Sequence, residues 1–367
     1  FYEYDSHNNI VELTQSGTTY TYEYDARDSL KTIKKSGIEV ASFTYDGNGN
    51  LLSKTINGLS TNYVYDLANR LVSSTSSLES NALVYDNLNR LTSFDSKAFQ
   101  YDIANQLIND GQYTYTYDGN GNMLTKYDGV TTTTYTYNVA NQLISDGVNT
   151  YSYEVDIGGQ LVNTGNMVSD GNFTYVYDDK DRLVEVKQGA TTVATYSYNN
   201  LGQRISKTVG ANTTTYTYND LTKMLSSETT GASTTSFNGV PGKYAQLISI
   251  DIGGVTYYYV YDAMGQIIGL TNTSGAWVVK YTYDSWGNVT EYDGNDIQQT
   301  LGTFANPYLY KTYYYDAETS LYYLEQRYYD PNIARFITKD PLPGTLTDRL
   351  STNPYIYVAN NPITNID

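Results

Sequence analysis

Residues 323–340, which read YLEQRYYDPNIARFITKD, hold the side chains of this chain that are best suited to chemistry. A short repeating unit precedes them, and a tail rich in proline and asparagine follows them to Asp367. Cysteine is absent and His7 is the single histidine, which excludes thiolate sites, histidine-based metal sites and a Ser-His-Asp triad. His7 lies in the run SHNN and is interpreted as a turn residue. We expect no cofactor and no metal.

The charge of the chain limits its partners. Its 367 residues carry a formal net charge of −17. An acidic surface repels phosphate groups, so binding to nucleic acid or to anionic membranes is not expected, whereas basic partners are compatible with this charge. No stretch approaches the roughly 18 apolar residues of a transmembrane helix, so no membrane insertion by this segment is expected. Because the chain opens at Phe1 inside a repeat, we interpret it as a fragment whose targeting signal lies elsewhere.

The repeating unit is Tyr-X-Tyr-Asp or a close relative, followed by a polar turn and by a leucine that begins an alternating run. It recurs about every 20 residues, with stretches nearer 16. In residues 63–72, reading YVYDLANRLV, the alternating bulky residues indicate a strand. Asp66 can accept backbone hydrogen bonds that close the turn, and Asn69 tolerates a left-handed backbone. With a second turn half a period later and no helical periodicity, the chain is predicted to be nearly all β.

Two features of the repeats allow a second interpretation. Tyrosine, at 43 residues, alternates along the strands and is interpreted as a packing layer whose hydroxyl groups need partners; the alternative is an aromatic platform that binds sugars. The DGNGN turns at residues 46–50 and 118–122 have the spacing of a calcium loop. The glutamate that such a loop needs at position 12 is replaced by Asn57 and Gly129, which favours plain turns.

Several strings of the sequence carry a family resemblance. They are YTYDSWGN at residues 281–288, LYYLEQRYYDP at 321–331, RFITKDP at 335–341 and NPYIYVANNP at 353–362. Together with the Tyr-Asp repeats, the first string resembles the RHS/YD-repeat family, and the other three resemble the RHS repeat-associated core. The family includes subunits of insecticidal toxin complexes, polymorphic toxins and the teneurins.

The resemblance implies a fold and a function. The fold is all-β: a long antiparallel meander of hairpins wound into a spiral, hollow β-shell, with residues 1–280 as the repeat shell and residues 281–367 as the core that plugs one end. The function is structural containment of a C-terminal toxin or cargo of the same polypeptide, in a secreted or cell-surface setting. Further partners would be the N-terminal remainder of the shell and a delivery system. The alternative is an extracellular adhesion, carbohydrate-binding or scaffold protein with glycans as partners.

In some family members the core is an aspartyl autoprotease. Its motif is an arginine upstream of a first Asp-Pro, with a second Asp-Pro farther along the chain and cleavage just beyond it. Carried over to this chain, the catalytic residues are Arg335, Asp340 and Asp367. Two carboxylates brought together can share a proton, and the arginine can hold one of them ionised or polarise the scissile carbonyl.

This chain departs from the family motif in two places. Pro343 stands where the motif has glycine, and residues 345–352 resemble an insertion. Asp348, within the insertion, is an alternative partner for the first aspartate. A purely structural alternative is an ion pair between Arg335 and Asp340 that pins the plug without cutting the chain.

Overall fold

The protein folds almost entirely as β-sheet in the computed structural model, which describes residues 1–15, 17–219, 223–240, 246–342, 344–345 and 347–367. Pro343 lies outside the described residues. The first sheet has 11 strands: β1 (Tyr2–Tyr4), β2 (Ile10–Gln15), β3 (Thr18–Tyr24), β4 (Leu30–Lys35), β5 (Ile38–Tyr45), β6 (Leu51–Ile56), β7 (Leu59–Tyr65), β8 (Leu71–Thr75), β9 (Ser80–Tyr85), β10 (Leu91–Phe94) and β11 (Lys97–Ala98).

Three smaller sheets follow. The five-stranded sheet contains β12 (Gln100–Tyr101), β13 (Leu107–Asn109), β14 (Thr114–Tyr117), β15 (Met123–Tyr127) and β16 (Thr132–Thr134). The two-stranded sheets are β17 (Thr136–Tyr137) with β18 (Leu143–Ser145), and β19 (Glu154–Ile157) with β20 (Gln160–Asn163).

The second large sheet and a small one complete the chain. The large sheet has 12 strands: β21 (Thr174–Tyr177), β22 (Leu183–Gln188), β23 (Thr191–Tyr198), β24 (Arg204–Val209), β25 (Asn212–Tyr218), β26 (Leu225–Thr230), β27 (Ser233–Val240), β28 (Gln246–Ile252), β29 (Val255–Tyr261), β30 (Ile267–Thr271), β31 (Trp277–Tyr283) and β32 (Val289–Asp293). The small sheet has β33 (Tyr314–Asp316), β34 (Leu321–Leu324), β35 (Arg327–Asp330) and β36 (Arg335–Phe336). The 3-10 segments among the residues described above are Tyr310–Thr312, Leu350–Thr352 and Val358–Asn360.

Every sheet is a meander, because each strand pairs with its neighbours in the sequence. The pairs are antiparallel, for example Tyr65 opposite Leu71 and Tyr198 opposite Arg204. The all-β meander predicted from the repeats is confirmed. The predicted boundary between residues 280 and 281 falls within β31, and the large sheet continues to Asp293.

The turn after each Tyr-Asp pair is closed by the aspartate. Asp66 Oδ1 accepts the backbone N–H groups of Ala68 and Arg70, both at 2.9 Å. Asn69 has a φ of 59°, the left-handed conformation predicted for it. The DGNGN turn is built in the same way, since Asp46 Oδ1 accepts the N–H of Asn48 at 2.8 Å. Its carboxylate therefore closes a plain turn.

A ladder of tyrosine hydroxyl groups ties successive repeats together. The tyrosine that precedes each turn donates to the backbone carbonyl of the residue that follows the preceding turn. Tyr101 donates to Leu91 at 2.7 Å, and Tyr117 donates to Leu107 at 2.7 Å. The same bond is made by Tyr24, Tyr45, Tyr85, Tyr137, Tyr177, Tyr198, Tyr218, Tyr261 and Tyr283. These partners support the packing-layer interpretation of the rings.

Removing one rung of this ladder is expected to cost stability. Tyr117→Phe leaves the Leu107 carbonyl without that hydrogen bond in the interior, so the free energy of unfolding should fall by about 1 to 2 kcal/mol. Urea denaturation measures the change. Tyr127→Phe is the matched control, because the Tyr127 hydroxyl donates to Gly129 at 2.6 Å at an exposed site. If Tyr127→Phe lowers the free energy of unfolding by the same amount, the cost of removing a tyrosine hydroxyl does not depend on the burial of its hydrogen bond.

The chain winds back alongside itself. Pairs of residues separated by 182 to 218 positions are in contact. They are Tyr2 with Asn219 at 2.7 Å, Tyr20 with Asn238 at 2.7 Å, Lys35 with Asp251 at 3.0 Å, Asn57 with Thr273 at 3.1 Å and Asn81 with Ala263 at 3.0 Å. The first and second large sheets are therefore neighbouring windings of one spiral shell.

The segment after β32 packs inside this shell as its plug. Aromatic rings meet edge-on or tilted across the boundary, at centroid distances of 5.0 to 5.8 Å. The pairs are Tyr153 with Tyr355, Tyr196 with Tyr328, Tyr216 with Tyr314 and Phe237 with Tyr308. Tyr115 also meets Trp286, which lies in the turn between β31 and β32. Tyr322, Tyr329 and Tyr357 are fully buried within the plug. The strands of the shell from Leu83 onward share one hydrophobic cluster with the plug, whereas the residues from Leu13 to Ile56 form a second cluster with Ile248 of β28.

Candidate active site

Arg327 brings together the two aspartates that the sequence predicts to be catalytic. Its Nη1 lies 2.8 Å from Asp340 Oδ2, and its Nη2 lies 3.1 Å from Asp367 Oδ1. The Arg327 side chain is 12% exposed, whereas the side chains of Asp340 and Asp367 are 31% and 28% exposed. Because a guanidinium presents its terminal nitrogens in a fixed plane, one arginine can hold two carboxylates side by side. Water can reach both carboxylates.

Rigid elements position the arginine. Arg327 begins β35 and pairs with Leu324 of β34, so only a tight hairpin loop separates the two strands. Its guanidinium lies over the Phe336 ring, 3.5 Å from the ring centroid. Phe336 is itself fully buried, and stacking on a fixed ring restricts the arginine to one orientation.

Backbone contacts hold Asp340. Its N–H donates to the Pro354 carbonyl at 2.9 Å, which ties the residue to the final segment of the plug. Its Oδ1 accepts the N–H of Leu342 at 2.8 Å, and its Oδ2 faces Arg327. One oxygen therefore fixes the orientation of the carboxylate and the other is directed into the site.

A pair of tyrosines holds Asp367. The Asp367 N–H donates to the Tyr313 hydroxyl at 3.1 Å. Tyr313 in turn accepts the hydroxyl of the buried Tyr357 at 3.2 Å. This chain of hydrogen bonds connects the second aspartate to the aromatic centre of the plug.

A cavity of about 860 Å³ lies against the site. Arg327, Asp340 and Asp367 form part of its wall. The rest of its lining mixes polar and apolar residues and includes six tyrosines: Tyr216, Tyr218, Tyr308, Tyr313, Tyr314 and Tyr323. A space of this size can accept a short peptide segment beside the two carboxylates.

Arg335 lies elsewhere, so the ion pair suggested between Arg335 and Asp340 is wrong. Its guanidinium donates to Asn122 Oδ1 at 3.1 Å and to the Asn141 carbonyl at 2.7 Å, and it lies 4.8 Å from the centre of the Tyr137 ring. The reason is strand geometry, since consecutive side chains point to opposite faces. Phe336 faces Arg327, so Arg335 faces the turns of the shell.

Asp348, the alternative partner within residues 345–352, does not join the site. Its Oδ1 accepts the N–H of Leu350 at 3.2 Å and closes a local turn. Asp340 instead has Arg327 as its partner.

Sequence reasoning missed Arg327 and Tyr313. Both residues lie in or near the sequence segments that resemble the family, but the order of residues does not indicate which arginine faces the two aspartates. The available signal was the hairpin of β35 and β36, in which Tyr329 pairs with Phe336. Arg327 lies two residues before Tyr329, so its side chain is on the same face of the sheet as the Phe336 ring. Recognising it required the register of β35 and β36.

One exposed group in the described part of the chain has the atom types of a metal site. Asp5, His7 and Asp28 each offer a ligand atom, and these atoms lie within 4.8 Å of one another. His7 Nδ1 is 2.8 Å from Asp28 Oδ1, and this hydrogen bond raises the pKa of the imidazole. The His7 N–H also donates to Asp5 at 2.9 Å, so His7 is a turn residue, as the sequence predicts.

A buried ionic network joins the plug to the shell. Arg204 Nη1 of β24 lies 2.5 Å from Asp316 Oδ2 of β33, and Lys207 Nζ lies 2.8 Å from Asp316 Oδ1. The side chains of Arg204 and Asp316 are 1% and 0% exposed. Burial alone would raise the pKa of Asp316, but attraction to Arg204 and Lys207 holds it below its ordinary value. The charged pair is therefore maintained in the interior.

Two other buried carboxyl groups lack such a cation at close range. Burial raises the pKa of Asp262 to about 7, although its Oδ1 accepts the N–H groups of Met264 and Gln266. Burial raises the pKa of Asp330 to about 6 in the same way. Both residues belong to Tyr-Asp turns. Asp330 is buried, and Asp262 is half-buried but more densely surrounded by protein than a turn aspartate such as Asp66.

Comparison with known proteins places this chain in a family. The teneurin YD-shell family model matches residues 100–363, and the RHS repeat model matches residues 45–78. The tRNA nuclease WapA of Bacillus subtilis (strain 168) is 35% identical over 373 residues, which cover 100% of this chain and 15% of the relative. The tRNA3(Ser)-specific nuclease WapA of Bacillus spizizenii shows the same identity and coverage. The chain thus spans about 15% of the length of these curated relatives.

Solved structures share the fold. The crystal structure of TcdB2-TccC3-Cdc42 superposes with a TM-score of 0.78 at 19% identity, over 100% of this chain and 21% of that chain. The Photorhabdus luminescens Tc holotoxin pore gives a TM-score of 0.77 at 18% identity, with the same coverage. Within the described residues, no helix has the length and apolar character needed to cross a membrane. From the match to the YD-shell model over most of its length, the chain belongs to the RHS/YD-repeat family.

Proposed function

We propose that this chain is the wall and end plug of a shell that contains a toxin or cargo, and that Arg327, Asp340 and Asp367 cut the polypeptide beyond the plug. The observation that carries the proposal is the placement of two carboxylates on one guanidinium at the wall of the 860 Å³ cavity. The cargo would be a C-terminal domain of the same polypeptide. The relatives named as tRNA nucleases, of which this chain matches 15%, support it.

The proposed reaction is hydrolysis of a peptide bond that follows Asp367. One carboxylate takes a proton from water as the water oxygen bonds to the carbonyl carbon. The second carboxyl group supplies a proton to the leaving nitrogen as the C–N bond breaks, so the water is divided between the two new ends. Arg327 positions both aspartates, and Tyr313 positions Asp367 through its N–H. The role of Arg335 is to fasten the plug to the turns of the shell.

Containment and cleavage fit a secreted or cell-surface protein with a delivery system. The cut would free the cargo from the wall while the closed shell keeps it from the producing cell. The outer strand of the first large sheet is β1, and the N-terminal remainder of the shell would add to the spiral on that side. The rings of the repeats lie largely in the interior, so the geometry favours containment over a glycan-binding surface.

Intact mass spectrometry of the natural polypeptide extended past Asp367 tests the cleavage. We expect the wild type to split shortly after Asp367, and Asp340→Asn, Asp367→Asn and Arg327→Gln each to slow the cut at least about 100-fold. Arg335→Lys is the matched control, because it changes an arginine of the same plug that does not face the two carboxylates. Continued cutting in both aspartate variants would overturn the protease.

A second measurement separates containment from cleavage. Under native conditions the two pieces should elute together from a sizing column, and the C-terminal piece should resist added protease. In denaturant they should separate. If the C-terminal piece is digested at once in the folded protein, the shell does not enclose it, whatever the outcome for the cut.

A further inference from the structure

The hairpin of β19 (Glu154–Ile157) and β20 (Gln160–Asn163) stands where other repeats have a short turn. Residues 154–166 connect Tyr153 to Met167. The Met167 carbonyl accepts the Tyr177 hydroxyl at 2.8 Å, which is the bond of the tyrosine ladder. Met167 is therefore equivalent to the residue that follows the turn in an ordinary repeat. The hairpin is therefore an enlarged Tyr-Asp turn at the edge of the shell.

The base of this hairpin is firmly held. The Thr164 N–H donates to the Tyr153 carbonyl at 3.2 Å, and Gln142 of the neighbouring turn donates to Asn163 at 2.9 Å. The plug reaches the same place, since the Tyr355 hydroxyl donates to the Gly165 carbonyl at 2.6 Å. The hairpin is an ordered extension of the shell that begins beside the plug.

Beyond its base, the hairpin presents a bare apolar face. Val155 lies opposite Val162 in the register, so these side chains share one face with Ile157. They are 38%, 41% and 60% exposed. Neither strand pairs with any other strand that the structure describes. An isolated two-stranded ribbon with an open apolar face is marginal in water, and its free edges are templates for a further strand.

The opposite face carries the acidic residues. Glu154 and Asp156 project there and are exposed, beside Leu161, which pairs with Asp156 and is 69% exposed. No lysine or arginine lies in the sequence between Lys126 and Lys180, and Lys339 of the plug packs only at the base, over Gly165. The hairpin therefore offers a strand edge, an apolar face and an uncompensated negative face.

We propose that this hairpin docks an extended segment of a partner protein in which apolar and basic residues alternate. The segment adds to the free edge as a third strand, so that backbone hydrogen bonds supply affinity and side chains supply specificity. Its apolar residues cover the face of Val155 and Ile157. Its basic residues lie beside Glu154 and Asp156, where charge attraction favours this register.

A second copy of the same chain does not fit this edge. Pairing of two identical hairpins would bring the same acidic residues together between chains that each carry a net charge of −17. Like charges on paired strands are destabilising, and the overall charge opposes the approach. The charge of the hairpin selects a basic partner.

The test uses the full natural protein and a labelled peptide of alternating valine and lysine. In the key variant, residues 154–166 are replaced by the turn sequence NVANQ of residues 138–142, which restores an ordinary repeat. Fluorescence anisotropy measures affinity, and hydrogen exchange measures protection of the hairpin amides. We expect the wild type to bind at least tenfold more tightly than the variant, with slower exchange in residues 154–163.

Two controls make the result decisive. A peptide of alternating valine and glutamate should bind the wild type weakly, and Glu154→Lys, which leaves Asp156 as the acidic residue of that face, should reduce the difference between the two peptides. The substitution keeps the hairpin, so it remains informative if the turn replacement fails to fold. Equal affinity of both peptides for the wild type, or equal affinity of the lysine peptide for the wild type and for Glu154→Lys, would overturn the proposal.

Discussion

Arg204→Met is expected to lower the free energy of unfolding by about 3 to 5 kcal/mol, because it leaves Asp316 and Lys207 in the interior without their main partner. The guanidinium also lies 4.4 Å from the Tyr323 ring centre, so attraction to the aromatic cage is lost with it. Urea denaturation followed by tryptophan fluorescence measures the change. Trp286 is a suitable reporter, because it is 1% exposed and packs in the same core.

The matched control is an exposed ion pair. Lys280 Nζ lies 2.7 Å from Asp296 Oδ1, and the Asp296 side chain is 72% exposed. Lys280→Met should therefore cost less than about 1 kcal/mol, because water screens the pair. If Arg204→Met costs no more than this control, the buried network does not hold the plug in the shell. Conversely, Asp316→Asn should also be strongly destabilising, since it leaves Arg204 buried and charged.

The second large effect is a loss of stability as the pH rises. The folded pKa of Asp262 is about 7, above the ordinary value of 3.8, so its protonated form stabilises the folded state. The stability that the protonated Asp262 contributes is fully present below its unfolded pKa of 3.8, and it is lost as the pH rises through its folded pKa of about 7. A shift of this size corresponds to a stability change on the order of 4 kcal/mol. Asp330, with a pKa of about 6, acts in the same direction.

The groups that face these carboxyls influence the pH window for the measurement. Glu79 opposes ionisation of Asp262 and Lys311 favours it, while Asp170 opposes ionisation of Asp330. Burial lowers the pKa of Lys311 to about 8, and this residue adds stability as the pH rises further. The decline is therefore expected between about pH 4 and pH 7, from the unfolded pKa of these carboxyl groups to the folded pKa of Asp262.

Denaturation midpoints across that range check the prediction. Asp262→Asn keeps an oxygen for the turn but cannot ionise, so the decline should become clearly shallower. Asp66→Asn is the control, because the pKa of the half-buried Asp66 is lowered and its titration lies below the window. A slope that is unchanged in Asp262→Asn would exclude this carboxyl as the origin of the pH dependence.

The local rules of the sequence predicted most of the shell. The Asp66 turn, the left-handed Asn69 and the antiparallel pairing all depend on residues close in the chain, where propensity and hydrogen bonding decide the structure. The sequence also predicted Asp340 and Asp367 as site residues, because they stand in ordered strings, and both lie against Arg327. Which arginine faces them depends on strand register, which no local pattern specifies.

The remaining features arise from contacts between distant parts of the chain. Arg204 and Asp316 are separated by 112 positions, so neither could be recognised as part of a buried pair. The raised pKa of Asp262 has the same origin, because its turn has the ordinary sequence and only its burial is unusual. The hairpin at residues 154–163 gave a weak signal, a degenerate copy at Tyr153 and Glu154 in which the expected turn was missing.

The distance along the chain between touching windings restricts how such genes can change length. Lys35 reaches Asp251 and Asn57 reaches Thr273 only while the number of residues between them is preserved. In a linear solenoid, unequal recombination can add or remove one repeat with local consequences. Here the loss of one repeat from the first winding would shift every later contact by one position around the spiral. Viable insertions should therefore accumulate in turns that meet no neighbouring winding, or arrive as complete circuits of the shell.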